Sequence, residues 1–236
     1  MNAVLHKANT RGFTFYGWLN SRHSFSFANY YNPERMGFGA LRVLNDDIVD
    51  AAMGFGSHPH DNMEIISIPL EGDLEHSDSM GNKSIIKQGD VQVMSAGTGI
   101  FHSEYNKNDD RRVAFLQIWI KPDLLNVKPR YNQISLNIAD RHNQWQQIVA
   151  PHANNNGLWI HQNAWLYLAN FDKDFSTSYR LKEKNNGVYV FVINGQVSVD
   201  NYALARRDGL GIWDSDEFWI KADSDTEILL IEVPFD

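Results

Sequence analysis

Two triplets, His58-Pro59-His60 and His102-Ser103-Glu104, hold the side chains of this sequence best suited to chemistry. Alternate residues of an extended strand share a face, so each triplet presents its outer pair on one side and turns its middle residue away. Three imidazoles and one carboxylate can thereby converge on a single divalent transition metal. Neutral imidazole and carboxylate suit iron, manganese, cobalt, nickel, copper or zinc. Four protein ligands on a six-coordinate ion leave two positions for water, substrate or dioxygen, whereas a structural zinc site is closed and usually rich in sulfur. The chain has no cysteine, which removes disulfides, Fe–S clusters and thiol catalysis. Ser103, between His102 and Glu104, has the company of a hydrolase triad, but strand alternation points it away from both partners. Ligand histidines must be neutral, so the spacing alone predicts metal release as pH falls through the ordinary imidazole value of about 6.5.

Other residues invite weaker readings. Glu64, soon after His60, is expected on the inward face as an acceptor that orients His58 or His60, with a fifth metal ligand as the alternative. His76 is expected as a hydrogen-bonded loop histidine, the alternative being a place at a pocket mouth. Phe25, Phe27, Phe38 and Tyr30-Tyr31-Asn32-Pro33 read as core or turn. The tryptophans read as core and interface, above all Trp159, Trp165, Trp213 and Trp219.

The elements that must position these groups are strands. Helical periodicity is scarce, and short alternating or continuous apolar runs recur between turn residues, so the chain reads as all-β. Strands are expected at 25–28, 40–44, 63–70, 74–77, 91–95 and 113–120, and again at 165–171, 188–193, 196–200, 217–221 and 227–233. Between the two series Pro122 and Pro129 interrupt any ladder, which puts a boundary near residue 130 and domains at 1–130 and 131–236. The halves share a pattern. Ile65 to Leu70, Glu71-Gly72-Asp73 and Leu74 onward read as strand, tight turn and return strand, and Val188 to Ile193, Asn194-Gly195 and Gln196 onward read the same way. This is the mark of a duplicated antiparallel barrel or jelly-roll unit. The second copy has no histidine where the first has its triplets; His142, His152 and His161 all precede the repeated turn. The metal constellation therefore belongs to the first domain.

Composition narrows the setting. At 236 residues and 43% hydrophobic, the chain can bury a substantial core. A net charge of −8 without a basic block argues against direct nucleic-acid binding. Residues 1–7 lack the apolar run of a signal peptide and no segment reads as a membrane span, so a cytoplasmic protein without membrane attachment is expected.

The words around the triplets resemble the pirin family of the cupin superfamily. They are His58-Pro59-His60 with Glu64, Leu70-Glu71-Gly72, the run from Glu75 to Asn82, the run from Gly89 to Glu104, and Ser24 to Pro33. In its first 120 residues the chain looks most like the bacterial pirin-like quercetin 2,3-dioxygenases. The resemblance implies a bicupin of two antiparallel jelly-roll β-barrel domains, with one divalent metal, iron(II) first and zinc, nickel, manganese, cobalt or copper as alternatives. Its ligands would be His58, His60, His102 and Glu104. One departure is Asp61-Asn62-Met63 after His60, where many members have Arg-Gly, which removes a cation near the pocket entrance.

The expected activity is a metal-dependent dioxygenase, in which dioxygen opens the ring of a flavonol-like enol with release of carbon monoxide. Its partners are a small aromatic substrate and dioxygen, and Glu104 takes the substrate hydroxyl proton. The alternative is a non-catalytic metal or redox sensor that engages a protein partner, as in the family's transcriptional co-regulators. A cupin isomerase or sugar-binding protein is the third reading.

Overall fold

Apolar runs separated by Gly, Asn and Asp turns become twenty-two strands in the computed structural model, which describes residues 1–151 and 157–235; His152 lies outside the described residues. The first twelve are β1 Asn2–His6, β2 Gly12–Phe15, β3 Leu19–His23, β4 Leu41–Val49, β5 Gly54–His60, β6 Glu64–Glu71, β7 Asp73–Asp78, β8 Lys83–Lys87, β9 Asp90–Ser95, β10 Ile100–Asn106, β11 Val113–Ile120 and β12 Arg130–Ser135. The remaining ten are β13 Gln146–Ala150, β14 Leu158–Trp159, β15 Trp165–Phe171, β16 Ser176–Arg180, β17 Asn186–Asn194, β18 Gln196–Val199, β19 Tyr202–Ala205, β20 Gly209–Trp213, β21 Glu217–Ala222 and β22 Thr226–Pro234. Helical structure among the described residues is confined to two short 3-10 turns, Ala8–Thr10 and Ile138–Arg141. None of it is long and apolar enough to cross a membrane.

Each half is a seven-stranded sheet facing a four-stranded one. In the first half the orders are β12-β9-β6-β11-β4-β3-β2 and β5-β10-β7-β8; in the second they are β1-β20-β17-β22-β15-β13-β14 and β16-β21-β18-β19. The orders correspond strand for strand around the centre of each sheet, with β6, β9, β11, β4 matched by β17, β20, β22, β15. The outer places are exchanged. β12, just past the expected boundary at residue 130, pairs with β9 of the first half, and β1 from the N-terminus pairs with β20 of the second. The sheets thus divide neither at residue 130 nor in strict chain order.

The two seven-stranded sheets pack back to back. Their shared core joins Phe25, Phe38, Leu41, Leu44, Ile66 and Leu116 to Leu166, Leu168, Tyr189, Leu229 and Ile231. A fully buried Leu, Ile or Phe contributes about 1.5–3 kcal/mol, so this interface binds the halves strongly. A separate core fills the space between the two sheets of the second half with Tyr179, Val190, Val197, Phe218 and Ile220. The corresponding core of the first half is smaller, Leu19, Val49, Leu74, Ile86, Val113 and Phe115, and leaves room beside it for a cavity.

Two expectations are corrected. Residues 25–28 form only the isolated bridge Phe27–Tyr30, because Phe25 is spent anchoring the interface against Tyr189. The repeated tight turns join strands of different sheets rather than hairpin partners, since β6 pairs with β9 and β11 while β7 pairs with β8 and β10. They are corners of the jelly roll. Gly72 and Gly195 both have positive φ, and a Cβ there would collide with the backbone carbonyls of Arg112 and Asp225, each just before the next central strand. Only glycine fits both demands.

Candidate metal centre

β5 and β10 are antiparallel neighbours, with His58 opposite His102 and His60 opposite Ile100. Along β10 burial alternates, Phe101 and Tyr105 exposed, Ile100, His102 and Glu104 buried. Ser103 lies on the other face, opposite Ser77 of β7, so no triad forms. The register slips between His102 and Glu104, which places Glu104 opposite Phe55 and leaves Gly56 and Ser57 as the bulge of β5. His58 Nδ1 lies 2.8 Å from the Gly56 carbonyl. That bond fixes the proton on Nδ1 and leaves Nε2 with the lone pair.

One ring nitrogen from each of His58, His60 and His102 lies within 4.8 Å of the others. Both nitrogens of His102 are buried without a hydrogen-bond partner in the protein. A buried imidazole left unpaired costs roughly 1–3 kcal/mol, and a metal ion is one way to satisfy it. The donor set and the unpaired nitrogens fit a divalent transition metal. Burial and the neighbouring imidazoles lower the pKa of His60 to about 4 and of His102 to about 2. Burial thus favours the neutral, metal-binding form of both rings below the ordinary imidazole value.

Glu104 stands outside the 4.8 Å group. Its carboxylate crosses to the seven-stranded sheet, where Ser67 Oγ donates to Oε1 at 3.1 Å and Gln117 Nε2 to Oε2 at 2.6 Å. Ser67 and Gln117 are a cross-strand pair of β6 and β11. Full burial raises the Glu104 pKa, while His76, Gln117, Ser67 and His58 pull it back.

His58 and His60 open onto a cavity of about 460 Å³, within the range of small-molecule sites. Its four-stranded wall carries Phe55, Gly56, His58, His60 and Glu104; its seven-stranded wall carries Ser21, His23, Asn45, Asp47, Gln117 and Trp119. Trp119 sets its ring edge-on to His60 and Phe27, at 4.8 and 5.3 Å between centroids. Trp18 and Phe27 line the cavity too, so Trp18 and Trp119 serve both core and cavity, whereas Trp219 is exposed and the reading of the tryptophans as core and interface fails for it. Asp47 is buried, accepts from Ser21 Oγ and among the described residues has no ion-pair partner, and burial pushes its pKa to about 7.

Glu64 does not orient His58 or His60. Between them Asp61-Asn62-Met63 carries the chain from one sheet to the other, Asn62 with φ of +43°, so the alternation of β5 does not continue into β6. In β6 Ser67 faces Glu104 and Glu64 faces the second half, where it accepts from Ser95 Oγ at 2.7 Å beside the Arg130 guanidinium. Arg130 in turn donates to Ser95 Oγ and the Trp159 carbonyl and lies 3.6 Å over the Trp159 ring. His76 is no loop residue. It is fully buried on β7, opposite Glu104, with Nε2 3.1 Å from Asp78 and its ring stacked on Tyr131. The wall residues Gln117, Asn45 and Asp47, and Ser67 behind Glu104, escaped the sequence reading, although polar residues inside otherwise apolar strands were a usable signal.

Comparisons with known proteins agree with this architecture. The model of a family described as Pirin matches residues 5–120, and that of the quercetinase C-terminal cupin domain matches residues 147–233. The quercetin 2,3-dioxygenase of Escherichia coli (strain K12) is 45% identical over 230 residues, 98% of each chain. A pirin-like protein of Caulobacter vibrioides is 38% identical over 218 residues, 92% of this chain and 93% of its own. The crystal structure of the bacterial pirin YhhW from Escherichia coli in complex with nickel(II) superposes with a TM-score of 0.94 at 43% identity, covering 100% of both chains.

Proposed function

The chain belongs to the pirin family, and from that membership we propose that it is a metal-dependent dioxygenase that opens the ring of a flavonol such as quercetin with dioxygen and releases carbon monoxide. The observation that carries the proposal is the convergence of His58, His60 and His102 within 4.8 Å, with His58 and His60 at the wall of a largely apolar cavity. We infer that these three histidines would hold the ion, with Glu104, which lies outside their 4.8 Å group, as the fourth ligand. Iron(II) is the ion we propose, and nickel(II), named with the Escherichia coli relative, suits the same donors.

A divalent ion bound there supplies Lewis acidity that lowers the pKa of a substrate hydroxyl. The protein does the rest. His58, held by its bond to Gly56, and His60, held against Trp119, keep their rings in place. Glu104 accepts the hydroxyl proton on a carboxylate oxygen. Burial raises its pKa and makes it a better base, while Ser67 and Gln117 fix its direction. Phe27, Phe55 and Trp119 give a planar aromatic substrate flat apolar surfaces and exclude water from the reacting ring.

The test is to reconstitute the protein with iron(II) without oxygen, add quercetin and then admit oxygen. Loss of flavonol absorbance with matched oxygen uptake and carbon monoxide release is expected. No oxygen-dependent loss with any of iron, nickel, manganese or cobalt rejects the activity.

A further inference from the structure

We propose that Ser21, His23, Asn45 and Asp47 form a hydroxyl-recognition subsite that selects flavonols bearing hydroxyl groups beyond the enol. The inference rests on the flavonol reading and names the substrate feature that the same cavity reads.

All four side chains are buried, and all line the cavity from the wall opposite His58 and His60. They form two cross-strand pairs, Ser21 with Asp47 and His23 with Asn45, on β3 and β4. Cross-strand pairs on one face stand as a fixed array rather than as mobile loop residues. His23 Nδ1 lies 2.8 Å from Asn45 Oδ1 and its Nε2 2.9 Å from Thr14 Oγ1, so the ring is clamped at both ends. The Asp47 carboxylate offers about four acceptor positions, and among the described residues only Ser21 donates to it.

The second half shows what this wall looks like when it only fills a core. β15 holds the place of β4 in the sheet order and turns Tyr167, Ala169 and Phe171 into an apolar core. Burying polar groups instead costs stability unless partners arrive. In the first half those groups face a cavity whose surface is mostly apolar, with Tyr16, Trp18, Phe27, Phe55 and Trp119 among its lining, and a hydroxylated planar ring supplies both the apolar face and the missing partners.

The experiment measures anaerobic binding by quenching of tryptophan fluorescence, with quercetin and with 3-hydroxyflavone, which keeps the enol and has no other hydroxyl. The iron-loaded protein is expected to prefer quercetin by about tenfold or more. Asp47→Ala and Ser21→Ala should bring the two affinities within about threefold of each other, and the isosteric Asp47→Asn should give an intermediate ratio. Equal affinities in the unaltered protein, or the same ratio in all variants, would overturn the subsite. Binding is read without oxygen, so the two ideas fail separately. Selectivity that collapses in the variants supports the subsite even where oxygen uptake is nil, whereas oxygen uptake with unchanged selectivity supports the dioxygenase and rejects the subsite.

Discussion

Replacing Asp47 by Asn should change how stability depends on pH. Burial, with Asp46 and Glu104 nearby and no ion-pair partner among the described residues, carries Asp47 from 3.8 to about 7 in the folded chain. Below its unfolded value both states hold the proton and the group has no influence on pH dependence. Between the two values the folded state holds a proton that the unfolded state has lost, so stability falls as pH rises, by about 1.4 kcal/mol per unit. Above about 7 the loss is complete. Between pH 5 and pH 8.5 the Asp47 contribution should therefore fall by roughly 3 kcal/mol. Asn accepts from Ser21 equally well and never ionises. Urea unfolding of chelator-treated protein at both pH values gives the comparison: Asp47→Asn should gain roughly 3 kcal/mol on the unaltered chain across that range. Other groups titrate in both proteins and largely cancel. Parallel pH dependences would refute the reasoning and mean that water or a counter-charge reaches Asp47.

Glu104→Gln should keep most of its metal but lose turnover by about 10²–10⁴-fold, checked by elemental analysis beside oxygen uptake; full activity would remove Glu104 from the proton transfer. Metal should stay bound at pH 6 and leave between roughly pH 5 and 4 on dialysis against chelator, because the neutral forms of His60 and His102 persist to low pH. Half-loss near pH 6.5 would show that burial does not protect these rings. Arg130→Ala should cost about 1–3 kcal/mol in urea unfolding at pH 8.5, where Glu64, raised by burial to about 7, is ionised, and Glu64→Gln in the same chain should recover a large part. Equal losses in the single and double variants would mean that Arg130 matters through Trp159 instead.

Much of the site was legible locally. An H-x-H and an H-x-E triplet on strands need only the period of two to share a face, and burial along β10 follows that period. Alternation also set Ser103 aside. It failed for Glu64 because the three residues after His60 move the chain to another sheet, and no local period survives such a crossing. The turns at Gly72 and Gly195 were visible as turns, but their role as corners was not, since hydrogen-bond partners of β6 and β7 lie far along the chain. The same holds for the exchange of β1 and β12 between sheets.

The sequence by itself determined the all-β class, the repeated unit and the confinement of the histidine triplets to its first copy, because these depend on residue type, spacing and the fixed period of a strand. Tertiary structure alone decided the rest. Opposing sheets brought Ser67 and Gln117 to Glu104, set Asp47 and His23 across the cavity from His58, and half-buried His60 and buried His102 enough to lower their proton affinity. Those are effects of distance and desolvation between residues remote in the chain, and neither quantity is written in local order.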